Sequence, residues 1–374
     1  MKESNSQLEL VFGEHQPKGV FLNKERFVKM LSDIESLEDI FSLRDKVLDL
    51  MAMVKSFRDD VEGVLNIDAN GDVVSYRRDV LLSDLQQILE AKTLERARYY
   101  IRRLRRSIVE IKTGKINDIN LLRWKEYDEI ITDSLWILDR RDSSGAHVGW
   151  YWGNFVPQIP RQMMLRYTKR GDWVLDAFLG SGTTLIECKR LGRNGIGIEL
   201  NPEVASKAKE LVEREPNVHN VVTDIVVADS RRVDVGKLLE ERGIQKVQLL
   251  IMHPPYHDII KFSGMEEDLS NADSVGTFLQ MFGDVVDNVS PYLEGGRFFA
   301  LVIGDKYSRG EWVPLGFYCM EEVLRRGFSL KSIIVKNFEE TRGKRNQREL
   351  WRYRALVGGF YVFKHEYVML FKKR

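Results

Sequence analysis

The spacing of apolar residues divides the chain into two parts. Across residues 24–64 and again across 78–112, apolar positions recur every three or four residues, which is the period of an amphipathic helix. The turn signal Asn70-Gly71-Asp72 lies between these two stretches. We therefore predict a helical extension over residues 1–120, followed by a second domain over residues 121–374.

From about residue 145, short β-branched runs alternate with amphipathic helices, for instance 183–190 and 203–214. Seven runs have the composition of strands: 173–176, 195–199, 221–228, 247–252, 297–304, 330–335 and 365–371. Such alternation is typical of a mainly parallel sheet with helices on both faces. No helix is predicted between the last two strands, so we expect them to form an antiparallel pair. The sequence thus predicts an α/β fold with a seven-stranded mixed sheet.

The composition narrows the class of protein. Apolar residues make up 43% of the 374 residues and charged residues 30%, as in globular proteins. No apolar run reaches the roughly 18 residues of a membrane span, and the polar start lacks a signal core, so we expect a cytoplasmic protein. The net charge of +1 means that any polyanion must be bound by local clusters. Two cysteines are too few for a Cys-rich zinc site, and we predict no metal.

A glycine turn follows the first of these strands. Gly180 and Gly182 allow close backbone approach to a ligand, and the helix that begins there presents free N–H groups. Asp176 ends the first strand and Glu199 the second, where an acidic side chain can accept from ribose hydroxyls. Asp229 closes the third strand and can accept from an adenine amino group. The turn is not G-x-G-x-x-G and lacks a Walker lysine, which argues against dinucleotide and triphosphate sites.

A second motif, His253-Pro254-Pro255-Tyr256, ends the apolar strand 247–252. In a doubly wound sheet this strand lies beside the first, so its end borders the same crevice as the glycine turn. Proline fixes φ and has no N–H, which leaves backbone carbonyls as acceptors. The alternative is a Pro-Pro loop that merely packs a tyrosine.

Taken together, these motifs resemble the N4-cytosine/N6-adenine DNA methyltransferase family. Residues 178–184 resemble its F-x-G-S-G-T-T cofactor motif, and residues 253–256 resemble its D/N/S-P-P-Y/F catalytic motif. The segments 147–149 and 153–160 are similar to the part of that family that packs over the methionine end of the cofactor. The run 365–371 is similar to its final strand. The resemblance covers about residues 145–374.

The resemblance implies a class I S-adenosylmethionine-dependent methyltransferase fold and methylation of an exocyclic amino group in double-stranded DNA, with the base flipped out of the duplex. It implies a catalytic group in which the Pro254 carbonyl and the His253 side chain accept the amino hydrogens while Tyr256 stacks on the base; Pro255 completes the motif. The implied contacts to S-adenosylmethionine are His147, Phe155, Pro157, Asp176, Phe178, Gly180, Ser181, Gly182, Thr183, Glu199, Asn201 and Asp229. A restriction–modification context is also implied.

Two departures from the family matter. The cofactor motif precedes the catalytic motif, whereas many F-x-G-S-G-T-T enzymes have the reverse order. His253 replaces the usual Asp, Asn or Ser. A neutral histidine can accept a hydrogen bond through one ring nitrogen, whereas a protonated one cannot. Because histidine is uncharged, we favour N4-cytosine over N6-adenine as the target; loss of activity is the alternative.

Two basic clusters are candidates for binding DNA phosphates. The second lies between the last two predicted strands, where we expect a mobile loop that contacts DNA; its members are Arg342, Lys344, Arg345, Arg348, Arg352 and Arg354. The first cluster, Arg96–Arg106, either contacts DNA or pairs with acidic residues of the segment 36–64. The N-terminal helices are also candidates for homodimerisation or for binding a partner subunit.

Three other functions fit parts of this pattern. The same fold can methylate RNA or a protein amide, because a Pro-Pro-Tyr turn suits any planar amide-like nitrogen. A non-catalytic subunit that binds S-adenosylmethionine and DNA within a modification or defence complex fits His253 and the helical extension. A nicotinamide oxidoreductase fits least well.

Overall fold

The computed structural model describes residues 19–56, 72–338 and 348–374. The chain divides into two compact units, Met1–Lys115 with Ile119–Glu129, and Ile116–Asp118 with Ile130–Arg374. We had assigned residues 121–129 to the second domain, but they belong to the first unit. They contact the rest of that unit through a hydrogen bond, 2.8 Å long, that the Arg77 backbone N–H donates to the Glu126 carboxylate, and through an ion pair of Lys125 with Asp84 at 2.6 Å.

The described part of the first unit contains helices and a small sheet. The elements are β1 (Gly19–Asn23), α1 (Lys24–Glu35), α2 (Ile40–Ser56), β2 (Val73–Arg77), α3 (Arg78–Leu89) and α4 (Leu94–Val109). The predicted helical character is present, but the first predicted helix is interrupted after Glu35, and the strands β1 and β2 were not predicted. These strands pair antiparallel over five residues each, but buried and exposed positions do not alternate strictly along either strand, so both lack the period of two that indicates a half-buried strand.

Four of the six arginines of α4 pair with acidic residues of their own unit. Arg102 and Arg105 lie 3.3 and 2.9 Å from the Glu35 carboxylate. Arg103 lies 3.3 Å from the Asp84 carboxylate. These partners lie outside the segment 36–64 where we had expected them. The pairing favours a structural role for this cluster over a role in phosphate binding.

The main sheet of the second unit has eight strands within the described residues. Their bounds are β3 (Leu135–Trp136), β4 (Trp173–Asp176), β5 (Asn194–Glu199), β6 (Thr223–Val227), β7 (Val247–Met252), β8 (Leu293–Ile303), β11 (Ser329–Asn337) and β12 (His365–Lys372). They lie in the order β3-β11-β12-β8-β7-β4-β5-β6. Strands β4 to β8 are parallel, and β12 is antiparallel to both of its neighbours. This is the class I methyltransferase fold.

The sheet has one strand more than predicted. The additional strand β3 has only two residues and pairs in parallel with β11, so it gives no periodic signal. A separate two-stranded ribbon, β9 (Lys306–Ser308) and β10 (Glu311–Val313), follows β8 directly.

Helices cover both faces of the sheet, and each face has its own buried apolar cluster. The described helices are α5 (Gln158–Tyr167), α6 (Thr183–Leu191), α7 (Pro202–Arg214), α8 (Val235–Glu240), α9 (Val275–Val289), α10 (Leu315–Arg325) and α11 (Arg348–Gly358). Among the described residues, no helix combines the length and the apolar character that crossing a bilayer requires.

Helix α11 corrects a prediction. The last two strands are antiparallel, as expected, yet this helix lies between them where we had predicted a loop. Its apolar residues Leu350, Leu356 and Val357 are exposed. A helix without a buried apolar face lacks the periodicity by which a sequence indicates a helix.

Candidate active site

One cavity of about 830 Å³ lies at the carboxyl ends of the central parallel strands. Gly180 follows β4, Glu199 ends β5, Asp229 follows β6 and His253 follows β7, and all four line its wall. Open α/β sheets bind their ligands at this edge. The glycine turn and the Pro-Pro-Tyr motif therefore border a single site.

The glycine turn is joined to the end of β5 by hydrogen bonds. Gly180 and Gly182 have φ of 54° and 82°, values that favour glycine over residues with a Cβ. The Gly180 N–H donates to Glu199 Oε2 over 2.8 Å, and the Asn201 N–H donates to Glu199 Oε1 over 2.9 Å. Burial raises the pKa of Glu199 to about 7, and the nearby Asp176 and Asp268 add to this effect.

Asp176 lies beneath the turn and not on the cavity wall, although we had predicted a cofactor contact. It is fully buried. Its Oδ1 accepts from the Phe178 N–H over 3.0 Å, and its Oδ2 accepts from the Thr184 hydroxyl over 2.5 Å. Burial raises its pKa to about 6. Both carboxylate oxygens of Asp176 therefore accept hydrogen bonds from the glycine turn and its helix, which holds the turn in shape.

Four more of the predicted cofactor contacts are absent from the wall. His147 is buried and its Nε2 lies 2.7 Å from Glu187 Oε1 on α6. The Thr183 hydroxyl donates to Asn154 Oδ1 over 3.0 Å. Pro157 is buried at the start of α5, and Gly182 packs against α7. The predicted contacts that do line the cavity are Phe155, Phe178, Gly180, Ser181, Glu199, Asn201 and Asp229.

The Pro-Pro-Tyr motif is part of a hydrogen-bond relay that joins His253, Tyr256, Glu366 and Lys336. His253 Nε2 lies 3.2 Å from the Tyr256 hydroxyl oxygen, and that hydroxyl donates to Glu366 Oε2 over 2.8 Å. Lys336 Nζ donates to Glu366 Oε1 over 3.0 Å. All of these residues line the cavity, as do Pro254 and Pro255.

His253 is neutral at physiological pH. Burial lowers its pKa to about 4; Glu366 acts in the opposite direction, and Lys336 lowers the pKa further. The ring packs edge-on against Phe155, with 5.0 Å between the ring centroids. One ring nitrogen of His253 is thus available as a hydrogen-bond acceptor.

Our sequence interpretation assigned no role to several residues of the wall. Tyr151 stacks on Phe262 with 5.6 Å between the centroids, and its ring lies beside Gly180. Lys336 and Glu366 belong to strands β11 and β12, whose other buried residues are mostly apolar. Lys336 and Glu366 could have been identified from the sequence, because each is a charged residue within a largely apolar strand.

The predicted DNA-binding cluster is partly described. Arg352 and Arg354 are exposed on α11 and therefore belong to a helix instead of the predicted loop. Trp351 on the same helix lines the cavity, and the Arg354 guanidinium lies 5.2 Å from the centre of its ring. Arg342, Lys344, Arg345 and the side chain of Arg348 lie outside the described residues.

Comparisons with known proteins match part of the chain to one family model and to several relatives. Residues 83–210, about a third of the chain, match the family model of N6/N4 methyltransferases, described as "DNA methylase". The chain is 44% identical over 52 residues to the Type II methyltransferase M.MjaII of Methanocaldococcus jannaschii (14% of this chain, 10% of that protein). It is 37% identical over 82 residues to M.Cfr9I of Citrobacter freundii (22% and 26%).

A third similar protein acts on RNA by its name. The chain is 34% identical over 105 residues to the tRNA (guanine(10)-N2)-dimethyltransferase of Methanocaldococcus jannaschii, covering 28% of this chain and 29% of that protein. In all three cases the aligned segment spans less than a third of the relative's own length.

Proposed function

We propose that this chain, a member of the N4-cytosine/N6-adenine DNA methylase family by its family match and its relatives, transfers a methyl group from S-adenosylmethionine to an exocyclic amino group of a base in duplex DNA. The observation that carries the proposal is the shared cavity, which has the glycine turn on one wall and the Pro-Pro-Tyr motif on another. A methyl donor and a planar amine must meet within one enclosed space.

The wall suits S-adenosylmethionine, which supplies an electrophilic methyl group on a positively charged sulfur. Each Glu199 oxygen accepts one backbone N–H, and a carboxylate oxygen has a further lone pair for a ribose hydroxyl. Asp229 can accept from the adenine amino group while it pairs with the Arg231 guanidinium at 2.9 Å. Glu199 and Asp229 would thereby orient the donor in the cavity.

The catalytic group acts on the amine. Its lone pair is delocalised into the base, and acceptors on its two hydrogens localise that pair on nitrogen. We assign these acceptors to His253 and to the Pro254 carbonyl, with the base flipped out of the duplex to reach them. S-adenosylmethionine would supply the methyl group for the new C–N bond, and His253 or water would accept the proton that the amine loses.

We favour cytosine N4 over adenine N6 as the acceptor. A neutral histidine supplies an uncharged acceptor, as the serine of the related motif does, whereas aspartate or asparagine is typical of adenine enzymes. The pKa of about 4 keeps the His253 ring uncharged across physiological pH. Nucleoside analysis of methylated DNA distinguishes the two products.

The function is tested by transfer of a labelled methyl group to duplex DNA, transfer RNA and protein in parallel. We expect label in DNA, as N4-methylcytosine after digestion to nucleosides. Label in transfer RNA alone would support the second candidate, which the similarity to a tRNA methyltransferase favours. Tight cofactor binding with no acceptor labelled would contradict catalysis and favour a non-catalytic subunit.

Cofactor binding should depend on pH through Glu199. Its pKa of about 7 means that the carboxylate is largely protonated at pH 6 and ionised at pH 8. Because ribose hydroxyls donate more strongly to the ionised form, affinity should rise with pH, by at most about tenfold per pH unit below the pKa, and level off above pH 8. Calorimetry from pH 6 to 8 measures this.

The matched variant for this test is Glu199→Gln. It keeps an acceptor for the Gly180 N–H but does not titrate, so its affinity should be lower and independent of pH. A pH dependence that persists in Glu199→Gln would assign the effect to another group.

Helix α11 is proposed to contact DNA phosphates through Arg352 and Arg354. Reversing both charges to glutamate should weaken DNA binding and lower the slope of log K against log salt by about 0.9 for each phosphate that the variant no longer neutralises. The control is the same reversal at Lys209 and Arg214, which are exposed on α7. An unchanged slope in the α11 variant would assign phosphate binding to another surface.

A further inference from the structure

A buried ion pair lies next to the catalytic motif and has no role in the reaction proposed above. Lys336 and Glu366 are 4% and 8% exposed and lie directly opposite each other on β11 and β12. Burying two charges costs desolvation energy that their attraction does not always recover. The pair also continues into the site, because the second Glu366 oxygen accepts from the Tyr256 hydroxyl.

The protonation states of Glu366 and Tyr256 fix the direction of every hydrogen bond in the relay. Burial raises the pKa of Glu366, but the Lys336 ammonium and the hydrogen bonds from Tyr256 and Lys336 more than offset this, so the pKa lies below its usual value. An ionised carboxylate only accepts hydrogen bonds. The single hydroxyl hydrogen of Tyr256 is therefore donated to Glu366.

The Tyr256 oxygen can then only accept from its other neighbour, His253. The atom that faces it is Nε2, 3.2 Å away. Nε2 must carry the proton, and in a neutral ring Nδ1 then carries the lone pair. Donation therefore converges on Glu366, from Lys336 on one side and from His253 through the Tyr256 hydroxyl on the other.

We propose that Lys336 and Glu366 are positioning residues that hold His253 in the Nε2–H tautomer, so that Nδ1 is the acceptor for the substrate amine. This inference rests on the proposed function. The oxygen of an Asp, Asn or Ser side chain can accept whatever surrounds it, but a histidine has two tautomers. His253 needs the other residues of the relay because only one of its two tautomers accepts at Nδ1.

The opposite tautomer would not support transfer. With the proton on Nδ1, a donor would face the amine hydrogens through that nitrogen. The free lone pair would lie on Nε2, beside Tyr256. The charged groups that act on His253 are Glu366 and Lys336, and both belong to the relay.

The test is nitrogen-15 NMR of the full chain labelled in its six histidines, with His253→Asn identifying the His253 signal. We expect the Nε2–H form in the wild type. Two variants interrupt the hydrogen-bond relay. The first combines Lys336→Met with Glu366→Gln, which leaves no unpaired charge, and the second is Tyr256→Phe, which removes one oxygen. In both we expect a mixture of tautomers.

The same variants should lower kcat by the factor by which the fraction of the Nε2–H tautomer falls, while the Kd for S-adenosylmethionine changes less than twofold. The control is Glu215→Gln, a buried carboxylate that pairs with Arg190 and does not line the cavity. It should leave both the His253 signal and kcat unchanged.

Two results would overturn the inference: an Nδ1–H tautomer in the wild type, or an unchanged Nε2–H tautomer in both variants that interrupt the relay. Neither depends on turnover. A wild type that methylates no nucleic acid contradicts the proposed function instead, so the two failures are distinguishable.

Discussion

Replacing His253 with alanine is expected to lower kcat by about 10²–10³, the range found when one preorganised hydrogen-bond partner of a transition state is removed. The variant loses the side-chain acceptor that localises the amine lone pair, while the Pro254 carbonyl remains. Single-turnover transfer of labelled methyl groups to DNA measures the effect. Calorimetry with S-adenosylmethionine should give an affinity close to that of the wild type.

The companion variant is His253→Asn, which restores a residue found in the family motif. Its amide oxygen supplies an acceptor without a choice of tautomer, so it should retain more activity than the alanine variant. Because Asn is typical of adenine enzymes, the identity of the methylated base should be checked in this variant. A wild-type rate for His253→Ala would exclude the ring from catalysis.

Replacing Glu199 with alanine should weaken binding of S-adenosylmethionine by about 10²-fold or more. Hydrogen bonds to charged groups contribute about 1.5–3 kcal/mol each, and the proposal assigns two ribose hydroxyls to this carboxylate. The variant also removes the acceptor of the Gly180 and Asn201 N–H groups. Isothermal calorimetry at pH 8, where wild-type Glu199 is ionised, gives the largest difference.

Two variants make this result specific. Glu203→Ala removes an exposed acidic residue in the first turn of α7 and should leave the affinity unchanged. Asp176→Asn changes a fully buried carboxyl that does not line the cavity, so it should lower Tm more than affinity. Equal losses of affinity in Glu199→Ala and Glu203→Ala would remove Glu199 from the ribose site.

Local patterns in the sequence predicted most of the sheet. Strands β4 and β7 begin and end where predicted, because each is a short apolar run bounded by turn residues. Strand β3 and helix α11 were missed for opposite reasons. The strand is too short to show a period, and the helix exposes the apolar residues that usually mark a buried face.

The roles of individual polar residues were harder to predict than the motifs that contain them. His147 contacts Glu187, which is forty positions away in the chain, so no local pattern indicates that this residue does not line the cavity. Asp176 belongs to the cofactor motif, yet both of its oxygens accept from the turn itself. A motif indicates which residues are near a ligand, but the fold determines which of them contact it.

The cross-strand pair of Lys336 and Glu366 also bears on how the C-terminal strands find their alignment. Side chains alternate between the two faces of a strand, so a shift of one residue between β11 and β12 would turn one member of the pair to the opposite face. Each charge would then be buried without its counterion, at a cost of several kcal/mol. The ion pair therefore selects a single alignment during folding and discriminates against shifted pairings that apolar residues alone would tolerate.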